Sequence, residues 1–145
     1  MELKSTEELT HEIKAVTNIE DYLTKNRKSM IVTSLSEHLN LLLTKKKIRK
    51  ADVIRHSQLG RAYVYKIFAG EKIPTRDKLI ALAFGLGLSD LETQKMLKLS
   101  GNRELNARDE RDALILFALQ RNKTVFEINE LLTDHNLAIL NTSRE

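Results

Sequence analysis

Four short signatures punctuate the chain: Ser5-Thr6-Glu7-Glu8, Ser34-Leu35-Ser36-Glu37, Ser89-Asp90-Leu91-Glu92 and Thr124-Val125-Phe126-Glu127. Each sets a hydroxyl three residues ahead of a glutamate. At a helix start, that hydroxyl accepts from the backbone N–H of the glutamate. The carboxylate in turn accepts from the N–H of the hydroxyl residue, so two orphan donors are satisfied at once. Between the signatures apolar residues recur every three or four positions, and no stretch alternates with period two. The expected fold is all-α.

The spacing predicts a first helix over about Glu7 to Asn26, with Leu9, Ile13, Val16, Ile19, Tyr22 and Leu23 near one face and a break at Thr17-Asn18. Lys25-Asn26-Arg27-Lys28-Ser29 reads as the linker that closes an N-terminal extension, 1–33. A central domain, 34–101, holds helices over Ser34 to Lys46, Lys50 to His56, Gly60 to Ala69, Thr75 onward, and Ser89 to about Ser100. Gly85 and Gly87 are read as the end of the fourth of these. The remainder, 102–145, reads as an antiparallel helical hairpin, Asn106 to Lys123 and Thr124 to His135.

At 145 residues without cysteine, the chain can bury a core and has no disulfides or thiolate metal sites. No apolar run spans a membrane, and the acidic, polar MELKSTEELTHE start is unlike a signal peptide, so the expected location is cytoplasmic. Charge is unevenly placed: residues 34–88 carry eleven Lys/Arg against four acids, while both flanks are slightly acidic. A basic middle of this kind suits a polyanion. His11, His38, His56 and His135 lack ligand spacing, and Gly85-x-Gly87 lacks the third glycine of a dinucleotide loop. The acids at Glu7-Glu8, Asp109-Glu110-Asp112 and Glu127-Glu130 are helix-start or solvated-face residues. No catalytic group, metal or cofactor is therefore expected.

The stretch QLGRAYVYKIFAG, Gln58 to Gly70, sets Arg61, Tyr63, Tyr65 and Lys66 on a short helix whose apolar positions are Leu59, Val64 and Ile67. Around it, punctuation falls in a fixed order. Leucines at 39–43 precede the basic turn Lys45 to Lys47, the short helix Arg49 to Arg55 and the turn Ser57 to Leu59. After Gly60 to Ala69 come Gly70 with Pro74, Leu79 to Ala83 and Leu86-Gly87-Leu88-Ser89. Residues 35–91 thereby resemble the phage-repressor-like helix-turn-helix family, the XRE or Cro/repressor class. Two positions depart from that pattern: Gln58 stands where glycine is usual, and Gly60 where serine or threonine is.

The resemblance implies a lambda-repressor-like core acting as a sequence-specific regulator of transcription, with helix 60–69 entering the major groove of double-stranded DNA. Base-reading positions fall on Arg61, Ala62, Tyr65 and Lys66. Arginine forks onto guanine O6 and N7, and alanine meets a thymine methyl. Phosphate contacts are expected from Lys50, Arg49, Tyr63, Lys72, Thr75 and Lys47. Homodimer formation is expected through a flank, with the C-terminal hairpin favoured for its leucines and phenylalanines. The rival reading is a protein-interaction module, an antitoxin or adaptor, using the same helix as an interface.

Overall fold

The computed structural model of the chain describes residues 4, 6–30 and 32–142, and side chains for all of these but 27–34. Among the described residues the chain is all-α, with no strand. The helices run α1 Thr6–Ala15, α2 Ile19–Met30, α3 Val32–Lys46, α4 Lys50–Ser57 and α5 Arg61–Phe68. They continue as α6 Arg76–Leu86, α7 Asp90–Leu99, α8 Glu110–Gln120 and α9 Val125–Asp134. None of the described helices is long and apolar enough to cross a membrane.

Two of the four capping boxes form as read. Ser89 Oγ accepts from Glu92 N at 3.1 Å while Glu92 Oε1 accepts from Ser89 N at 2.9 Å. Thr124 and Glu127 repeat the exchange at 3.1 Å in each direction. The boxes at Ser5 and Ser34 fall outside the described residues and side chains. The break at Thr17-Asn18 is real: Asn18 Oδ1 accepts from Glu20 N at 2.9 Å and starts α2.

Three boundaries differ from the sequence reading. The expected linker Lys25 to Ser29 lies inside α2. It has no glycine or proline to stop the helix, and buried Asn26 donates from Nδ2 to Tyr22 O at 3.1 Å. Helix α8 starts at Glu110, not Asn106, because Asp109 Oδ1 accepts from Asp112 N at 2.9 Å and caps it there. Gly85 does not end α6; the helix passes through it and stops at Gly87, which is left-handed at φ 64.

The physical role of Gly85 is close approach. A methyl group in place of its hydrogen would lie 2.8 Å from Ser57 Cβ and 2.8 Å from Val53 O, so the α6 backbone rests directly on α4. Every α6 residue from Lys78 to Leu86 is buried, and a helix apolar on nearly all sides belongs at the centre. Around it a single core runs from Leu35 and Leu39 on α3 through Val53, Val64 and Ile67 to Ile115, Ile128, Leu132 and Leu140. This cluster draws on residues from both sides of 101/102, the expected division. Of the hairpin residues on which pairing was expected, the leucines belong to this core or pack on it, while Phe117 and Phe126 are exposed.

Consecutive residues lock the two halves together. Arg76, at the start of α6, donates from Nη1 and Nη2 to the two carboxylate oxygens of Asp112 at 3.2 and 3.0 Å. Its neighbour Asp77 accepts from both Nη atoms of Arg111 at 3.0 Å. Arg111 also donates to Ala138 O and Ile139 O, holding 137–142 as a strap that runs back over the core.

Gly85→Ala should lower stability. Overpacking costs about 1–3 kcal/mol, here against backbone that cannot rotate away, whereas alanine's helix propensity returns at most about 1 kcal/mol. The check is the thermal midpoint by circular dichroism. A midpoint at or above wild type would mean that α4 and α6 separate at no cost.

Candidate nucleic-acid interface

Helix α5 owes its attitude to the turn that delivers it. Ser57, fully buried, accepts from Leu59 N through Oγ at 3.2 Å and so braces the corner. Gln58 is left-handed, at φ 64 and ψ 13, and Gly60 is the extended N-cap of α5 with no side chain to cap it. Both departures noted in the sequence are thus accommodated in the turn. Leu59, Val64, Ile67 and Phe68 are buried and anchor the helix on the core.

What remains outside is Arg61, Ala62, Tyr65 and Lys66, all exposed. Their spacing of i, i+1, i+4 and i+5 puts them on one face of the helix. The four expected base-reading residues therefore share a single solvent-facing surface. Tyr63 departs from this group: it is half-buried and packs against the core.

Each phenol ring of α5 collects two cations. Lys50 Nζ lies 5.3 Å and Arg61 Cζ 5.9 Å from the Tyr65 centroid, with the Phe68 ring 5.8 Å from the same ammonium. Tyr63 has Lys72 Nζ at 5.6 Å and Lys78 Nζ at 4.7 Å. A cation held over a ring face is attracted by its quadrupole. Tyr65 accordingly joins the start of α4 to the outer face of α5, and Tyr63 joins α5 to the loop and α6.

The other expected phosphate contacts divide by their surroundings. Arg49 Nε sits 3.3 Å from Asp52 Oδ2, and Arg55 Nη2 sits 2.9 Å from Asp52 Oδ1. A hydrogen bond from Arg49 leads the effects that hold the Asp52 carboxyl below its ordinary pKa. This acid is therefore charged and competes with any phosphate for Arg49. Lys47 is exposed at the end of α3, and Thr75 is the N-cap of α6 with no side-chain cap bond.

Six of the ten expected residues border one concavity of about 580 Å³: Arg61, Ala62, Tyr63, Tyr65, Lys66 and Lys72. Lys78 and Thr142 complete its wall and were missed by the sequence reading. Nothing in the pattern singles out Lys78, because a lysine at the head of an apolar helix ordinarily reads as solvated. Thr142 arrives by the strap, whose path depends on Arg111 and was not visible as a spacing. Among the described residues no three of His, Asp and Glu gather as a metal site.

Gln58→Gly should stabilise the fold by about 0.5 kcal/mol. Left-handed backbone costs an L residue about 1–2 kcal/mol, against about 0.5–1 kcal/mol for glycine's extra chain entropy. The Gln58 Nε2 bond to Arg55 O, at 3.0 Å, offsets part of the gain. Urea midpoints decide the matter: a lower midpoint for the glycine variant would mean that the glutamine side chain, not the backbone, holds the turn.

Comparisons with models of protein families, with curated proteins and with solved structures find no match to this chain, so its functional reading rests on the residues and geometry above.

Proposed function

We propose that the chain is a sequence-specific regulator that binds double-stranded DNA through α5, with α3 to α7 in the lambda-repressor-like helix-turn-helix arrangement. The observation that carries this reading is the exposed quartet Arg61, Ala62, Tyr65 and Lys66 on one face of a helix clamped by its own core. A major groove admits a helix, and base edges there offer acceptors to arginine and methyl groups to alanine. Rigid delivery matters because an unanchored arginine would bind phosphate as readily as a base edge. Lys50, held over Tyr65 and Phe68, is the phosphate contact that fixes register.

A short helix reads few base pairs, and repressors of this shape pair two copies about one turn of DNA apart. The pairing surface in this reading is α1. It buries no residue, its Ile13 is 46 % exposed, and Ile19, the first residue of α2, extends the apolar surface at 50 % exposed. A ten-residue helix is marginal without tertiary packing; α2 covers one side of α1, where Lys25 pairs with Glu12 at 3.1 Å, and a second copy would cover the rest. Buried Tyr22 lies outside the main core, so the N-terminal flank can be removed without emptying it.

Selection of bound sequences from a random duplex pool tests the function directly, and a two-fold-symmetric winner is the expected result. Against that winner, Arg61→Ala should lose about 1–3 kcal/mol and relax preference at one position per half-site. Lys50→Ala should weaken all sequences alike and reduce the log–log salt slope by about one per subunit. No enrichment, joined with tight salt-insensitive binding to a protein, would hand Arg61 and Tyr65 to the interaction-module reading instead.

Light scattering on the full chain should give twice the chain mass, and a variant lacking residues 1–31 should be monomeric yet folded. A monomeric full chain, with and without its selected site, would end the pairing claim.

A further inference from the structure

We propose that Tyr65 is a positioning residue for Arg61: its ring, and not its hydroxyl, holds the guanidinium in the attitude that base reading needs. This role rests on the DNA reading above and names a second residue on which its specificity depends. In α5 the two side chains are one turn apart, at i and i+4, where neighbours on a helix face meet. Arg61 Cζ lies 5.9 Å from the Tyr65 centroid. Among the described residues no carboxylate pairs with Arg61, and no acceptor takes a hydrogen bond from its side chain.

Other arginines of the chain are held differently. Arg49 and Arg55 share Asp52, Arg76 is bound to Asp112, and Arg111 to Asp77. A carboxylate fixes a guanidinium by taking its N–H donors and cancelling its charge. A ring face attracts the cation through its quadrupole and leaves all five donors unspent. A base reader needs a set direction and, at the same time, a free fork for guanine O6 and N7. An aromatic neighbour supplies both, and a carboxylate would supply only the first.

The ring itself is firmly placed. Tyrosine has only two side-chain torsions to order, and the backbone beneath it is fixed by Val64, Ile67 and Phe68, all buried. Lys50 Nζ lies 5.3 Å from the same ring and 5.8 Å from that of Phe68. Because Lys50 keeps Phe68 when Tyr65 is replaced, loss of the ring falls first on Arg61. Tyr65 is 44 % exposed, and its hydroxyl forms no hydrogen bond among the described residues, so ring and hydroxyl can be tested apart.

Variants of the full chain separate the two: Tyr65→Phe keeps the ring, Tyr65→Leu removes it, and Tyr65→Met does the same if the leucine variant fails to fold. Each is measured on the selected duplex and on its single-base variants. Tyr65→Phe should keep affinity and preference within about twofold. Tyr65→Leu should lower discrimination about fivefold, the worth of one exposed cation–ring contact, at the position that Arg61→Ala relaxes. In the Arg61→Ala background it should change nothing further at that position. Preference kept by Tyr65→Leu, a loss at another base pair, a loss equal for all sequences, or the same loss in Tyr65→Phe would each overturn the role. The free chain gives a readout without DNA. Arg61 side-chain proton resonances should move in Tyr65→Leu, where the ring current is lost, and stay in place in Tyr65→Phe. Unmoved resonances in Tyr65→Leu, with a duplex selected, overturn the positioning role and leave DNA binding standing. Moved resonances with no duplex selected overturn the DNA reading, and the role in base reading with it.

Discussion

Everything on the outer face of α5 depends on how closely α6 can approach α4. Gly85 lets the α6 backbone come to rest on Val53 O and Ser57, where any side chain would intrude. With α6 buried along its length, α4 has one seat on it and no room to slide. Ser57 sits in that contact and also accepts from Leu59 N, so the same residue that touches Gly85 braces the turn into α5. The direction of α5 is therefore inherited, through Ser57 and Leu59, from the absence of a methyl group at Gly85. Packed cores transmit such constraints because they are dense and deform little.

The crossed pairs Arg76–Asp112 and Asp77–Arg111 do for the C-terminal part what Gly85 does for α4. Asp112 is 2 % exposed, and its burial raises the carboxyl pKa; hydrogen bonds from Arg76 and Asn106 N and the charges of Arg76 and Arg103 outweigh that effect and leave it lowered. A carboxyl with a lowered folded pKa stabilises the native state above its unfolded pKa and loses that contribution as pH falls through the folded value. The Arg76–Asp112 pair thus contributes stability at neutral pH and loses that contribution in acid. Because Arg111 also grips Ala138 and Ile139, the ion pair that joins α8 to α6 is the one that lays the strap against the concavity.

Helices were legible wherever a local signal decides them. Ser89, Thr124 and Asn18 act through backbone groups within three residues, so the sequence alone marks where α7, α9 and α2 begin. The turn at Gln58 was legible only through the resemblance, as a glutamine where glycine is usual, and its backbone is left-handed. Gly85 was misread because a glycine near a helix end has two meanings, and the choice lies in α4, twenty-eight residues earlier at Ser57. The linker at 25–29 was misread because charge was taken as a sign of exposure, while Asn26 is buried beside Lys4, whose Nζ donates to it at 2.7 Å. In the candidate site, periodicity marked the exposed side of the helix, the resemblance chose Arg61, Ala62, Tyr65 and Lys66 on it, and all four are exposed on one face. Lys78 and Thr142 stayed hidden because their places are set by pairings between residues far apart in the chain.

The two tyrosines of α5 carry the last step. A lysine or arginine held in one geometry gives up about 2 kcal/mol of rotamer freedom, normally lost only when a ligand arrives. Over an aromatic face the cation gains about 0.5–1 kcal/mol when exposed and more when desolvated, so part of that ordering is met in the free protein. Lys50 and Arg61 flank Tyr65, and Lys72 and Lys78 flank Tyr63, which puts four cations at set positions around one short helix. Arg49 and Arg55, by contrast, face Asp52, which draws them from the set. The aromatics on this surface helix are thus explained by the cations they order. An anion meeting this face, duplex or small molecule, encounters charge already in place and loses less entropy in binding it.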